Sequence, residues 1–210
     1  MKAYWISLYT KVENQENLKK YVLEAEPTIV TSERQCVELL EALAEKQQPV
    51  SLGWLADDEG SLLALAALYE PGTAEVMVIE TQFLKDKQVQ SSLEEFLRAD
   101  GIGFDTHDAK KLSRGLRKLG LESEGLKVDT AIAGYLLDPS GGRYVLDDLL
   151  MKYCRTEIVR SDVVEAGQLD LDGGSHDQLL DVARDALAIN RLAPVISSKL
   201  NVKPSDKIAQ

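Results

Sequence analysis

Val128-Asp129-Thr130-Ala131-Ile132-Ala133-Gly134-Tyr135-Leu136-Leu137-Asp138-Pro139 is the stretch from which the rest of this chain can be read. Leu126 to Val128 has the character of a short strand, and Asp129 stands where a helix over residues 130–137 begins. A carboxylate at that position accepts hydrogen bonds from the orphan amides of the first helical turn. Asp129 is therefore expected to be an N-cap, and Tyr135 and Leu136 are spaced as core residues.

Working outward toward the C-terminus, helices are expected over residues 145–153 and 176–200, separated by the loop signals Gly141-Gly142 and Asp172-Gly173-Gly174. Ser175 with Gln178 has the spacing of a capping box for the last helix. Upstream, Leu112, Leu116 and Leu119 mark a helix, Gly101-Ile102-Gly103-Phe104 a strand, and Leu93, Phe96 and Leu97 another helix. Val50 to Ala56, Leu62 to Leu68 and Val76 to Ile79 read as three strands of an antiparallel meander. Asp57-Asp58-Glu59-Gly60 has the composition of the tight turn between the first two. Thr28-Ile29-Val30 is a lead-in strand, Ser32 an N-cap, and Val37, Leu39, Leu40 and Leu43 the apolar stripe of the first helix, which Pro49 closes off. The pattern predicts an α/β domain over residues 28–200 with a mixed five-stranded sheet and helices on both faces. Residues 1–27 read as a charged connector whose Tyr4, Trp5 and Tyr9 are candidates to pack on the domain or on a neighbour, and residues 201–210 as a polar tail.

With 210 residues, 44% of them apolar, the chain can bury one substantial core. No apolar run approaches the roughly 20 residues of a membrane span, and the first residues lack a signal peptide's pattern, so a cytoplasmic protein without a membrane partner is expected. Cys36 and Cys154 stand far apart without ligand spacing, which suggests neither a disulfide framework nor a zinc site. A net charge of −11 opposes tight, free-standing binding to a phosphate polyanion. Phosphate loops, metal-spaced His or Cys clusters and nucleophile turns are all missing. The basic run Lys110, Lys111, Arg114, Arg117 and Lys118 is expected to be a solvated helix face.

Several of these landmarks resemble, in order and spacing, the 3′-5′ exonuclease domain of bacterial DNA polymerase I, a family A DNA polymerase. The most family-like run is Asp129-Thr130 followed by Tyr135-Leu136-Leu137-Asp138-Pro139, with Leu146, Leu149 and Tyr153 in the helix after it. Gly103-Phe104-Asp105-Thr106-His107-Asp108-Ala109-Lys110-Lys111-Leu112 resembles the second exonuclease motif, and Val182-Ala183-Arg184-Asp185-Ala186 the third. The resemblance covers about residues 28–193. It implies a ribonuclease H-like (DnaQ-like exonuclease) fold and flanking polymerase and 5′-nuclease regions.

The resemblance also implies a chemistry that can be checked residue by residue. Active members cut phosphodiesters with two divalent ions held by converging carboxylates. Their first motif is Asp-x-Glu on a strand, where a period of two sends both side chains to one face. Here those two positions fall on Trp54 and Ala56 in one register and on Gly53 and Leu55 in the other, and neither supplies a carboxylate. The second-motif acid falls on Ala109, or on Asp108 after a one-residue shift, while Asp105 and Asp108 also suit a helix cap and its first turn. The third-motif Asp is Asp185, but the Tyr position four residues earlier is Asp181 and the residue before that is Leu180. His107 and His176 match no such offset and are read as surface or turn residues.

The expected function is thus a vestigial, catalytically inactive proofreading domain that binds no metal and acts as a structural module. Its expected partners are the polymerase domain of the same full-length protein and, through it, DNA. The rival enzyme reading takes Asp57, Glu59, Asp108 and Asp185 as the acids of an active exonuclease that would need Mg2+ or Mn2+. A stand-alone RNA-processing relative is a third possibility, disfavoured by the missing Tyr or His and by the acidic charge.

Overall fold

The computed structural model describes residues 12–13, 20–45, 49–68, 74–98, 103–161 and 173–201, with side chains from Glu24 onward except at residues 173–175. Tyr4, Trp5 and Tyr9, the start of the 101–104 strand and the tail after residue 201 lie outside the described residues.

In chain order the elements are β1 (Val12–Glu13), β2 (Lys20–Leu23), β3 (Glu26–Ile29), α1 (Glu33–Ala44), β4 (Val50–Ala56), β5 (Leu62–Leu68), β6 (Glu75–Glu80), α2 (Thr81–Leu84) and α3 (Lys87–Arg98). Then follow β7 (Phe104–Thr106), α4 (Ala109–Lys118), β8 (Leu126–Asp129), α5 (Thr130–Leu137), α6 (Leu146–Cys154), β9 (Thr156–Ile158) and α7 (Gly173–Asn201). The main sheet runs β3-β6-β5-β4-β7-β8. β4, β5 and β6 form the expected antiparallel meander, and β7 and β8 add to β4 in parallel. The sheet has six strands because the lead-in strand β3 pairs in parallel with β6 at its edge. A second, three-stranded sheet joins β1, β2 and β9, and brings residues 20–23 of the connector region against β9.

Period-two alternation divides the sheet's side chains between two cores. Ala64, Ala66, Val76 and Val78 pack with α6 and α7 on one face. Leu65, Ala67, Met77 and Ile79 pack with α1, α3 and α4 on the other. Helices on both faces of a mixed sheet are what the sequence pattern predicts. Ser32 caps α1 as expected, its Oγ accepting from Gln35 N at 3.3 Å. The capping-box expectation at Ser175 needs correction, because α7 already begins at Gly173. Asp86 supplies a cap that the spacing rules miss, accepting from Gln88 N at 2.8 Å and Val89 N at 3.1 Å at the start of α3. Cys36 and Cys154 are free, and burial pushes both thiols up to about 11. Among the described residues, no helix is long and apolar enough to cross a membrane.

Candidate active-site cleft

A cleft of about 600 Å³ opens where β4, the start of α4, the start of α6 and the middle of α7 meet. Its floor is set by the close approach of β4 to α7. A Cβ placed on Gly53 would stand 2.3 Å from Val182 O, 2.8 Å from Ala186 N and 3.3 Å from Asp185 Cβ. Two of those three atoms belong to helix backbone and cannot swing away, so only glycine fits there. Leu55, two residues on, packs into the core built around α7, whereas Trp54 and Ala56 pack into the opposite core. The Gly53/Leu55 register is therefore the one that faces Asp185. Trp54 still borders the cleft, its indole Nε1 donating to His107 O at 3.0 Å.

At the second motif a single carboxylate organises the backbone. Asp129 Oδ1 accepts from Ala131 N at 2.9 Å and Ile132 N at 3.3 Å at the start of α5. It also accepts from Asp108 N through Oδ1 at 3.2 Å and from Ala109 N through Oδ2 at 2.8 Å at the start of α4. Two helix N-termini thus converge on one buried acid. Asp108, the residue at the α4 cap position, makes no side-chain cap bond; it sits in the left-handed region at φ 56° and pairs with Lys111 at 2.7 Å. Asp105 is not a cap either, because it lies within β7. Burial pushes its carboxyl up to about 6, and Asp105 Oδ1 lacks a hydrogen-bond partner. Ser51, its pairing partner on β4, is buried with an equally unpartnered Oγ.

His107 is a turn residue, as expected, but it lines the cleft instead of facing solvent, while His176 is exposed. His107 Nδ1 lies 2.9 Å from Thr130 Oγ1, and the Thr130 hydroxyl donates to Thr106 O at 3.3 Å. With that one proton committed, the histidine is assigned the Nδ1–H tautomer and donates to Thr130. Burial holds its pKa below the usual histidine value, against the opposing pull of Asp129 and Asp108.

The last wall holds a three-member charge cluster. Arg160, just beyond β9, grips Asp147 of α6 through Nη2 and through Nε, the latter at 3.1 Å from Oδ2. Its Nη1 stands 2.7 Å from Asp185 Oδ1 on α7. Burial disfavours the guanidinium charge, but the bonds to Asp147 and the attraction of Asp185 outweigh it and drive the Arg160 pKa upward. Burial likewise pushes Asp185 up to about 6, with Arg160 pulling the other way and Asp147 and Asp181 adding repulsion. The Asp185 side chain keeps 27% of its area exposed, so desolvation is partial and the carboxylate is ionised at neutral pH. Asp181 is occupied separately, accepting from Arg184 Nη1 at 2.8 Å and from Ser161 N at 3.1 Å.

Of the four acids in the enzyme reading, Asp108 and Asp185 reach the cleft. Asp57 and Glu59 do not; they form the exposed β4–β5 turn. Gly60 N donates to Asp57 O at 2.9 Å, and Ser61 N to Asp57 Oδ1 at 2.7 Å. Lys118 Nζ, at the far end of α4, fastens that turn by donating to Glu59 O at 2.6 Å. A ten-residue helix spans about 15 Å, which separates this turn from the cleft at the other end of α4. Asp147 and Arg160 were missed by the sequence reading. Asp147 was hidden in the helix recognised through Leu146 and Leu149, and Arg160 follows a strand with no periodic signal. Among the described residues, no three His, Cys, Asp or Glu side chains are grouped so that they could hold a metal ion. The residues present do not fit a metal pair: Gly53 has no room for a ligand, Leu55 offers none, and a cation already lies between Asp147 and Asp185.

No family model matches the chain. DNA polymerase I of Mycobacterium bovis and that of Mycobacterium tuberculosis are each 32% identical to it over 97 residues, 45% of this chain and 11% of the polymerase. The matched region is thus a small part of these relatives' length. Among solved structures, the POL domain of Pol1 from M. smegmatis, in complex with DNA primer-template and dNTP, aligns with a TM-score of 0.65 at 20% identity, covering 83% of this chain and 27% of that one. Trypanosoma brucei RNase D aligns at 0.62 and 13% identity over 85% and 74% of the two chains. Brucella melitensis NrnC with bound Mg2+ aligns at 0.59 and 16% identity over 90% and 84%. The fold is the ribonuclease H-like α/β fold of DnaQ-like exonucleases, and the sequence is related to DNA polymerase I.

Proposed function

We propose that this chain, an exonuclease-like domain related to DNA polymerase I, is catalytically silent and serves as a structural module beside a polymerase domain of the same full-length protein, in the cytoplasm. The observation that carries the proposal is the Arg160 guanidinium seated between Asp147 and Asp185, opposite a Gly53 that has no room for a side chain. Two-metal hydrolysis of a phosphodiester needs several carboxylate oxygens with surplus negative charge at one point, so that two dications activate a water and stabilise the leaving oxygen. Here one of the available charges is cancelled by Arg160, Asp108 is matched by Lys111, and the first-motif face offers hydrogen and hydrocarbon. His107, neutral and donating through Nδ1, is held by the Thr130 hydroxyl.

What the residues do instead is hold elements together. Asp129 joins the starts of α4 and α5, and Arg160 joins α6 to α7. Such a rigid body suits a spacer next to a polymerase, with DNA contacted through the full-length protein; the net charge of −11 favours that division of labour.

The test is digestion of end-labelled single-stranded DNA by the purified chain with Mg2+ or Mn2+, alongside titration with each metal. Unshortened DNA and no metal-binding isotherm are expected. Metal-dependent shortening that Asp185→Ala abolishes would overturn the proposal in favour of an active 3′-5′ exonuclease.

A further inference from the structure

We infer that Arg160 is a resident cation that takes the place of a divalent ion between Asp147 and Asp185, and that its removal uncovers a one-ion divalent-cation site on those two carboxylates. The inference rests on the silent reading of the cleft and deepens it by naming the group responsible.

Three observations carry it. First, the guanidinium meets both carboxylates at once: Asp147 through two nitrogens and Asp185 through the third at 2.7 Å. That convergence of two acids from different helices on one positive group is what a hard cation would also require. Second, the segment that carries Arg160 is anchored to α7 without using Asp147 or Asp185. The next residue, Ser161, donates its N–H to Asp181 Oδ1 at 3.1 Å, and Arg184 Nη1 donates to Ser161 Oγ at 3.1 Å. The loop would therefore stay on α7 after the charge is removed. Third, all three side chains are roughly one third exposed or less, at 34% for Arg160, 37% for Asp147 and 27% for Asp185, and all line the cleft. An ion arriving from solvent has a path to the carboxylates once the guanidinium is gone. A planar, five-donor guanidinium can satisfy two carboxylates in this way, whereas a lysine ammonium can neutralise them only as a point charge.

The experiment compares wild type, Arg160→Gln and the double variant Arg160→Gln/Asp147→Asn, titrated with Mn2+ alone. Free Mn2+ is followed by its paramagnetic resonance signal, and the thermal midpoint is recorded at each concentration. Arg160→Gln is expected to bind one Mn2+ per chain at least about tenfold tighter than wild type, with a midpoint that rises as Mn2+ is added. The wild-type midpoint is expected not to move, and the double variant to lose both responses. Binding no tighter than wild type, or undiminished in the double variant, overturns the inference. If Arg160→Gln is unfolded without metal, refolding by Mn2+ supports it and failure to refold overturns it. A wild type that itself binds Mn2+ and shortens DNA sinks the silent reading; a silent wild type with a metal-indifferent variant sinks only this inference.

Discussion

Asp129, which holds the start of α4 at the cleft, and Asp185, which lines the cleft, are both largely buried acids, yet they are stabilised by different partners. Asp129 is met by four backbone amides from the starts of two helices. Asp185 is met by the side chain of Arg160, 25 positions earlier in the chain, which also serves Asp147. Backbone amides bring fixed dipoles without adding a mobile charge, so the Asp129 corner builds the fold and leaves the cleft's net charge alone. A guanidinium brings a full positive charge, so the Asp185 corner stabilises the fold and at the same time removes the field that would attract metal. The lesson is that how a buried acid is satisfied decides whether it remains available for chemistry.

The largest expected effect comes from forcing an acid back onto the first-motif strand. Gly53→Asp places a side chain 2.3 Å from Val182 O, and should destabilise the protein by about 4 kcal/mol or more, without restoring nuclease activity. Denaturant unfolding measures it; a stable Gly53→Asp protein would show that β4 and α7 can part and would break the contrast at its root.

Next is Asp129→Ala, which strips caps from α4 and α5 together. With each lost cap worth about 1–2 kcal/mol, the change should cost about 2–4 kcal/mol, and hydrogen exchange should speed up at Asp108, Ala109, Ala131 and Ile132. Loss confined to one helix would show that the carboxylate serves one terminus and not both.

Asp105 sharpens the comparison, being answered by neither a helix terminus nor a cation. Its folded pKa of about 6 lies above the unfolded 3.8, so between those values the native state holds more protons than the unfolded chain. The contribution of Asp105 to stability should therefore be fully present below about pH 4 and be lost as pH rises through 6. Asp105→Asn should remove that slope and be more stable than wild type at pH 7 by about 1–2 kcal/mol, after discounting for partial exposure. Urea midpoints of the two proteins at pH 4, 5, 6 and 7 test this, and parallel profiles would refute it. His107 works in the opposite direction, since its lowered pKa makes stability fall as pH drops below 6.5. The difference between wild type and Asp105→Asn isolates the acid from it.

The smallest effect is expected at the hairpin. Asp57→Ala removes the acceptor for Ser61 N in an exposed turn, and should cost no more than about 1 kcal/mol in a thermal melt. Paired with Glu59→Gln, it should leave Mn2+ binding to Arg160→Gln unchanged; any loss would place the turn's acids at the cleft after all.

What could be read in the residues is what depends on near neighbours. Asp129 precedes its helix by one position, so its role as a cap follows from spacing alone, and the Asp57-Asp58-Glu59-Gly60 turn follows from polar residues between apolar runs. The apolar runs of β4, β5 and β6 separated by polar turns pointed to the meander, and the motif order to the ribonuclease H-like fold. The second helix terminus served by Asp129 was not readable, because Ala109 lies 20 residues away and meets the carboxylate only when β7 and β8 pair. Ser175 was misplaced for a related reason: the glycines at 173 and 174, usual loop signals, are carried inside α7.

By itself, then, the sequence determined the kinds of element, their order and the absence of an Asp-x-Glu on β4, but not which apolar side chains are buried: Tyr135 and Leu136, spaced as core residues, are 51% and 59% exposed. Only the tertiary structure decided which face of β4 meets α7, that Gly53 touches helix backbone there, and that Arg160 lies between Asp147 and Asp185. The physical reason is range: hydrogen bonds within a turn and the periods of helix and strand are written in adjacent residues. A Coulombic contact between a loop and two helices exists only after the sheet has brought them within a few ångströms.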